Sequence, residues 1–339
     1  MDRETIVRIA SLTKPIVAAA VMTLVDDGHV VLDDPVDEWL PELSAPTVVR
    51  EPGSPRDDVV PAARSITGED LLSSRAGYGF PSDFTLPVVG LLFSELKQGP
   101  TLPQTIAAPD DWMAALGRIP LLHQPGEAWL YNTCSDIQGV LIGRVTGQPL
   151  PEFLAERIFE PLRMLDTGFE VPADKLERFS SFYETGPADL ELKDAPGGHW
   201  SQLPAFPSGA GGLVSTADDL LAFGRMLLAG GTLDGQQVLS PQSVARMTSN
   251  CLTPAQRSAG QLFLEGQGWG FGGSVDVNTD DPWTVPGRYG WVGGTGTSAH
   301  VIPSLDIVSI LLTQVAMDSP TPPTLMRDFW RYAADLSSR

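Results

Sequence analysis

The tetrapeptide Ser11-Leu12-Thr13-Lys14 pairs a hydroxyl with an amine three residues apart, a spacing that on a helix sets both on one face, one turn from each other. A serine hydroxyl is a poor nucleophile until a neighbouring group takes its proton, and a lysine withdrawn from water can be that base. The chemistry on offer is acyl transfer through a covalent serine ester. A capping serine and a snorkelling lysine would read the same in isolation, and among 25 serines and 4 lysines in 339 residues roughly 0.3 such matches arise by chance. The surroundings decide for chemistry, because an exposed lysine has no reason to open the most hydrophobic helix of the chain.

That helix is read from residues 11–27, where Ile16, Val17, Ala18, Ala19, Ala20, Val21, Met22, Leu24 and Val25 leave almost no polar side, the pattern of a helix buried all round. Gly28 supplies its stop. Pro15 fits only in the first turn, where backbone N–H groups have no intrahelical partner, so Ser11 stands at the positive end of the helix dipole. Residues 50–65, with Pro52, Gly53, Pro55 and Pro61, read as a loop. Helical patterns follow at 111–117, 137–146, 152–159 and 216–228, the last opened by Ser215 or Thr216. Beyond Ser240 the texture turns to strand-like runs at 269–277, 289–292, 297–302 and 307–313. Pro322 and Pro323 open a final helix whose Leu325, Met326, Phe329, Trp330 and Ala333 form a face expected to pack on the sheet. The predicted architecture is a sheet lobe built from 1–67 and 233–339, with a mostly helical lobe, 68–232, inserted between them.

Collinear with these elements run Arg8-Ile9-Ala10-Ser11-Leu12-Thr13-Lys14-Pro15, Leu32-Asp33-Asp34-Pro35-Val36, Pro125-Gly126-Glu127, Tyr131, Phe159-Glu160-Pro161-Leu162, Gly211-Gly212-Leu213-Val214-Ser215-Thr216 and Trp291-Val292-Gly293. Together, over nearly the whole chain, they resemble the serine β-lactamase superfamily, which shares the penicillin-binding-protein fold. The likeness is strongest to class C β-lactamases and family VIII carboxylesterases. The resemblance implies an α/β fold, an antiparallel sheet flanked by helices with an inserted helical lobe. It makes Ser11 the acylated nucleophile, Lys14 its base, and Tyr131 the phenol that carries protons to the leaving group and from the deacylating water. The family's Y-x-N asparagine is displaced here, since Asn132 directly follows the tyrosine. Ser135-Asp136 is similar to the alternative S-D-N element with Ile137 in place of its asparagine, and ranks below Tyr131.

Trp291-Val292-Gly293 matches the tryptophan variant of the family's K-T-G strand, found in esterase-type members. It implies that Trp291 and Gly293 line the pocket and that the Gly294 and Ser11 N–H groups form an oxyanion hole. The family also places a helix and two strands before the serine helix, whereas only Met1 to Ala10 precede Ser11. The N-terminal strands are therefore expected to be missing and the strand at 307–313 to form an open edge. A second subunit, as in a homo-oligomer, or a natural chain that begins upstream would cover it.

A net charge of −20 and a pI near 4.4 oppose nucleic acid as a partner, because each phosphate contact needs a cation. The start, Met1-Asp2-Arg3-Glu4, has no signal-peptide pattern and the apolar run 15–25 is too short to span a bilayer, so a cytoplasmic location without a membrane partner is expected. Cys134 and Cys251 are too few for a disulfide framework, and His29, His123, His199 and His300 are scattered, so neither metal nor cofactor is expected. There is no G-x-S-x-G. Gly268, Gly270 and Gly273 satisfy G-x-G-x-x-G, but strand-like 274–277 follows them where a dinucleotide fold needs a helix.

The expected function is hydrolysis of carboxylic esters with small or medium acyl groups, with Trp112, Trp129, Trp200 and Trp291 available to line an apolar pocket. A β-lactamase or D-amino-acid peptidase is the first rival. It is disfavoured because a lysine at position 291 would bond a lactam carboxylate for roughly 1.5–3 kcal/mol, which tryptophan cannot do. A non-catalytic binding or scaffold protein of the same fold is the rival of another class.

Overall fold

The computed structural model describes residues 1–99 and 105–336. The apolar run after Ser11 folds as helix α1 (Thr13–Asp26), in which every residue from Thr13 to Leu24 is buried. It needs no side-chain cap because a 3-10 turn, Ala10–Leu12, leads into it, and Pro15 lies in the first turn, where its missing N–H is not wanted. Gly28, at φ +76°, ends it. Helix α2 (Thr133–Thr146) packs along α1, and the 3-10 turn that carries Ser11 lies against the sheet.

That sheet is fully antiparallel, in the order β5 (Ile307–Leu311), β4 (Thr297–Ile302), β3 (Tyr289–Gly293), β2 (Ser274–Val275) and β1 (Gly268–Trp269). Alternate residues of β4 face opposite ways, as the period of two requires, and a helix covers each face. On one, Ser298 accepts a 2.8 Å hydrogen bond from Trp330 Nε1 of α4 (Thr324–Asp335) and His300 meets the same indole edge-on. On the other, Val308, opposite Val301, packs on Gly224 of α3 (Ala217–Leu228), where a Cβ would stand 2.6 Å from the valine methyl. Strand β5 is the outermost strand of the sheet among the described residues. No helix among them is long and apolar enough to cross a membrane.

Four local expectations are corrected. Residues 50–65 are not all loop: Thr47–Val49 and Val59–Pro61 pair antiparallel around the Pro/Gly turn, their β-branched residues outweighing the breakers. A second hairpin, Phe182–Thr185 with Leu190–Asp194, interrupts the helical region; both its leucines are exposed, so burial gave no signal. The helix expected over 152–159 is α-helical only at Leu150–Leu154 and then widens into a π-turn, Ala155–Phe159. Pro161 explains this, because its ring clashes with the carbonyl four residues back and it has no N–H to donate. In α4, Leu325 is 60% exposed while Met326, Trp330 and Ala333 are buried, so the inward face begins one residue later than expected. Thr216 caps α3 by accepting the Asp219 N–H.

Candidate active site

Ser11 reaches the site from the short strand Val7–Arg8, paired antiparallel with Val214–Ser215. The Ile9 N–H donates to Leu213 O (3.1 Å), and the hydroxyls of Thr295 and Thr297 hold the carbonyls of Arg8 (2.6 Å) and Ile9 (3.1 Å). Strand β3 comes so close that a Cβ on Gly293 would lie 2.4 Å from Ile9 O and 2.2 Å from the Thr297 hydroxyl. Glycine is obligatory there for approach, which is a more specific role than lining a pocket. Ala10 then bends the chain at φ +44°, a left-handed conformation that costs a non-glycine residue about 1–3 kcal/mol.

Lys14 is fully buried. Its Nζ lies 2.9 Å from Ser11 Oγ, 2.6 Å from Ala210 O and 3.0 Å from Asn132 Oδ1. Two of these neighbours can only accept. All three oxygens stand within reach of an amine donor; a neutral amine, with two N–H bonds and one lone pair, would spend the N–H bonds on Ala210 and Asn132 and turn the lone pair to the Ser11 hydroxyl.

Tyr131 donates its phenol proton to Ser11 Oγ at 2.7 Å and accepts the Trp291 Nε1–H at 3.0 Å. Paired backbone hydrogen bonds with Phe80, both 2.9 Å, and a stacked contact with Phe263 at 4.5 Å fix its ring; Lys14 Nζ sits 4.5 Å from the ring centroid. Asn132 has φ +81° and ψ −65°, and the Thr133 N–H reaches Tyr131 O at 3.2 Å. These angles and that bond make a γ-turn of the rare, strained hand. The turn swings the amide onto Lys14, so the displaced asparagine still joins the cluster. Ser135 lies in the first turn of α2 with its N–H on Asn132 O; the phenol of Tyr131 is what meets Ser11.

A cavity of about 710 Å³ opens in front of Ser11. Phe80, Phe84, Phe93, Phe263 and Ile106 form its apolar part, and Glu184, Lys193 and His199 contribute polar groups. Gly294 borders it, as do Trp200 and Trp291. Trp112 and Trp129 do not: they pack in the core against Phe206 and Trp269, each at 5.0 Å. The phenylalanine wall was missed from sequence, because its members come from separate segments with no shared period. Also missed was Asp136, buried beside Lys14 and holding the hydroxyl of Ser208 and the N–H groups of Ala210 and Gln98. Burial pushes its carboxyl above the ordinary range, against the opposing pull of those donors and of Lys14. Among the described residues no cluster of three or more His, Cys, Asp or Glu could hold a metal ion.

The fold, with a buried amine and a half-buried hydroxyl and phenol linked by hydrogen bonds, is that of a serine hydrolase of the β-lactamase-like type. The chain belongs to the Beta-lactamase family, whose model matches residues 1–327. It is 38% identical over 328 residues to Protein Rv1367c of Mycobacterium tuberculosis (strain ATCC 25618 / H37Rv), covering 94% of this chain and 79% of that protein. It is 31% identical over 348 residues to Esterase EstB of Burkholderia gladioli, covering 95% and 81%. Among solved structures it resembles simvastatin synthase (LovD) from Aspergillus terreus, with a TM-score of 0.78 at 22% identity over 100% of this chain and 85% of that one, a likeness of fold.

Proposed function

We propose that Ser11 is acylated by carboxylic esters and that Lys14, Tyr131 and Trp291 serve that step. The Ser11 oxygen attacks the carbonyl carbon while its proton passes to Lys14, and the alkoxide leaves with a proton delivered through Tyr131. Water then attacks the acyl-serine, its proton passes through the same groups to Ser11 Oγ as the acyl–Oγ bond breaks, and the acid departs. The Ser11 and Gly294 N–H groups are assigned to the oxyanion. The observation that carries the reading is the unbroken set of hydrogen-bond contacts that links Trp291 Nε1, the Tyr131 hydroxyl, Ser11 Oγ and Lys14 Nζ. A scaffold protein has no use for a lysine fully buried against a serine, since burying an ionisable amine costs stability.

Esters are favoured over lactams and D-peptides because position 291 offers an indole and no cation. Esterase EstB, by its name, acts on esters, which supports the same choice. Small and medium acyl groups fit easily in a cavity of about 710 Å³, and the phenylalanine part leaves room for larger apolar ones. A cytoplasmic location is part of the proposal: Cys134 and Cys251 are both free thiols, the state that a reducing compartment maintains. The deciding test is a fluorescent phosphonate on purified protein. Wild type is expected to be labelled and Ser11→Ala to be blank; an unlabelled wild type, or a labelled Ser11→Ala, overturns the assignment.

A further inference from the structure

Asp136 stands in the first turn of α2, 3% exposed, and protein donors occupy both of its oxygens. Oδ1 accepts the Ser208 hydroxyl at 2.6 Å and the Ala210 N–H at 3.0 Å. Oδ2 accepts Gln98 Nε2 at 3.0 Å, and that amide is itself fixed by the Thr133 hydroxyl at 2.7 Å. A carboxyl group in such a place has given up its hydration, which only a compensating purpose explains. The residue one turn further along the same face of α2, Val140, is apolar and buried, so an apolar residue would have served packing.

The purpose is visible at Ala210. Its N–H is held by Asp136 and its carbonyl takes the 2.6 Å hydrogen bond from Lys14 Nζ. One residue thus bridges the buried carboxyl and the buried amine. Ala210 is flanked by Gly209 on one side and by Gly211 and Gly212 on the other, a stretch with little stiffness of its own. Gly209 lies flush on α2, where a Cβ would stand 2.3 Å from Ser135 O.

We propose that Asp136 is a positioning residue for Lys14: by clamping Ala210 it places the carbonyl that takes one Lys14 N–H, and so aims the lone pair of the amine at Ser11. The inference rests on the reading of Lys14 as the base. Asp136 borders the cavity as well, so direct contact with substrate is the competing role, and the two differ in what they do to KM.

The test uses p-nitrophenyl butyrate and four purified proteins: wild type, Ser11→Ala, Asp136→Ala and Asp136→Asn. Hydrolysis by wild type and its loss in Ser11→Ala establish the underlying reading without reference to Asp136. Asp136→Ala is expected to lower kcat by about a hundredfold, the usual cost of a misplaced catalytic group, with KM within about threefold. Asp136→Asn keeps an acceptor for Ser208 and Ala210 and is expected to recover at least about tenfold of that loss. If Asp136→Ala does not fold, Asp136→Leu, which fills the space, gives the same comparison. An unchanged kcat, a loss expressed in KM, or an Asn variant no better than Ala overturns the proposal.

Discussion

The indole N–H of Trp291 and the phenol oxygen of Tyr131 are hydrogen-bonded at 3.0 Å, with Ser11 Oγ 2.7 Å further along the same line. Tryptophan here is a donor to the phenol oxygen, beyond its place in the cavity wall. In the proposed mechanism, negative charge that develops on the phenol oxygen as it gives up its proton is met by that N–H. Trp291→Phe keeps an aromatic ring and removes the donor, so kcat is expected to fall about fivefold, the effect of one hydrogen bond worth about 1 kcal/mol. Steady-state ester hydrolysis checks it, and an unchanged kcat would reduce Trp291 to packing.

Lys14→Ala and Tyr131→Phe are each expected to slow ester turnover by ~10²-fold or more, the scale of a positioned acid–base group. Both proteins should stay folded by circular dichroism. If Tyr131→Phe is neutral while Ser135→Ala is inactive, the second catalytic element has been assigned to the wrong residue.

Gly293→Ala tests the close approach of β3 to Ile9. The added methyl meets Ile9 O and the Thr297 hydroxyl at 2.4 and 2.2 Å, an overpacking that should cost about 1–3 kcal/mol. Because Ile9 stands two residues before Ser11, loss of activity should exceed loss of stability. Urea titration beside ester kinetics separates the two, and a variant with full activity would show that β3 yields without moving the serine.

Hydrolysis of p-nitrophenyl esters should exceed that of penicillins and cephalosporins by about tenfold or more in kcat/KM, the consequence of a missing charged hydrogen bond at position 291. Equal values for the two substrate classes would show that another group receives the lactam carboxylate.

His300 is buried between Ser298 and Trp330, and desolvation, with Arg288 nearby, holds its imidazole well below the ordinary 6.5. A folded-state value below the unfolded one means that only the unfolded chain takes up the proton as pH falls. The stabilisation is complete above about pH 6.5 and is lost progressively below it, at up to about 1.4 kcal/mol per pH unit. Urea midpoints should therefore drop from pH 7 to pH 5, less steeply in His300→Asn. Parallel curves for the two proteins would remove His300 as the source.

The cluster of Ser11, Lys14, Tyr131 and Trp291 was legible because types and spacing carried it: Ser11 and Lys14 share a helical face, and Tyr131 and Trp291 sit in motifs that are collinear with them. The reason Asn132 works from a displaced position was hidden, since nothing in an Asn-Thr pair announces a γ-turn of positive φ. Asp136 could be read only as half of a dipeptide. Its meaning lies in Gln98, Ser208 and Ala210, up to 74 positions away, and only the folded chain brings them together. The core tryptophans were misplaced for a related reason, because composition counts aromatic residues without saying which ones face a void.

Ala10, beside Ser11, and Asn132, beside Tyr131, both hold a positive-φ backbone without being glycine. Glycine would relax both bends, yet the chain keeps a β-carbon at each. A glycine hinge would let the Ser11 hydroxyl and the Tyr131 phenol drift through many orientations, whereas a strained alanine or asparagine has few alternatives once the surroundings force the bend. The site therefore draws its stiffness from discomfort: what these two residues lose in backbone ease, the Ser11 hydroxyl and the Tyr131 phenol gain as a single fixed bearing.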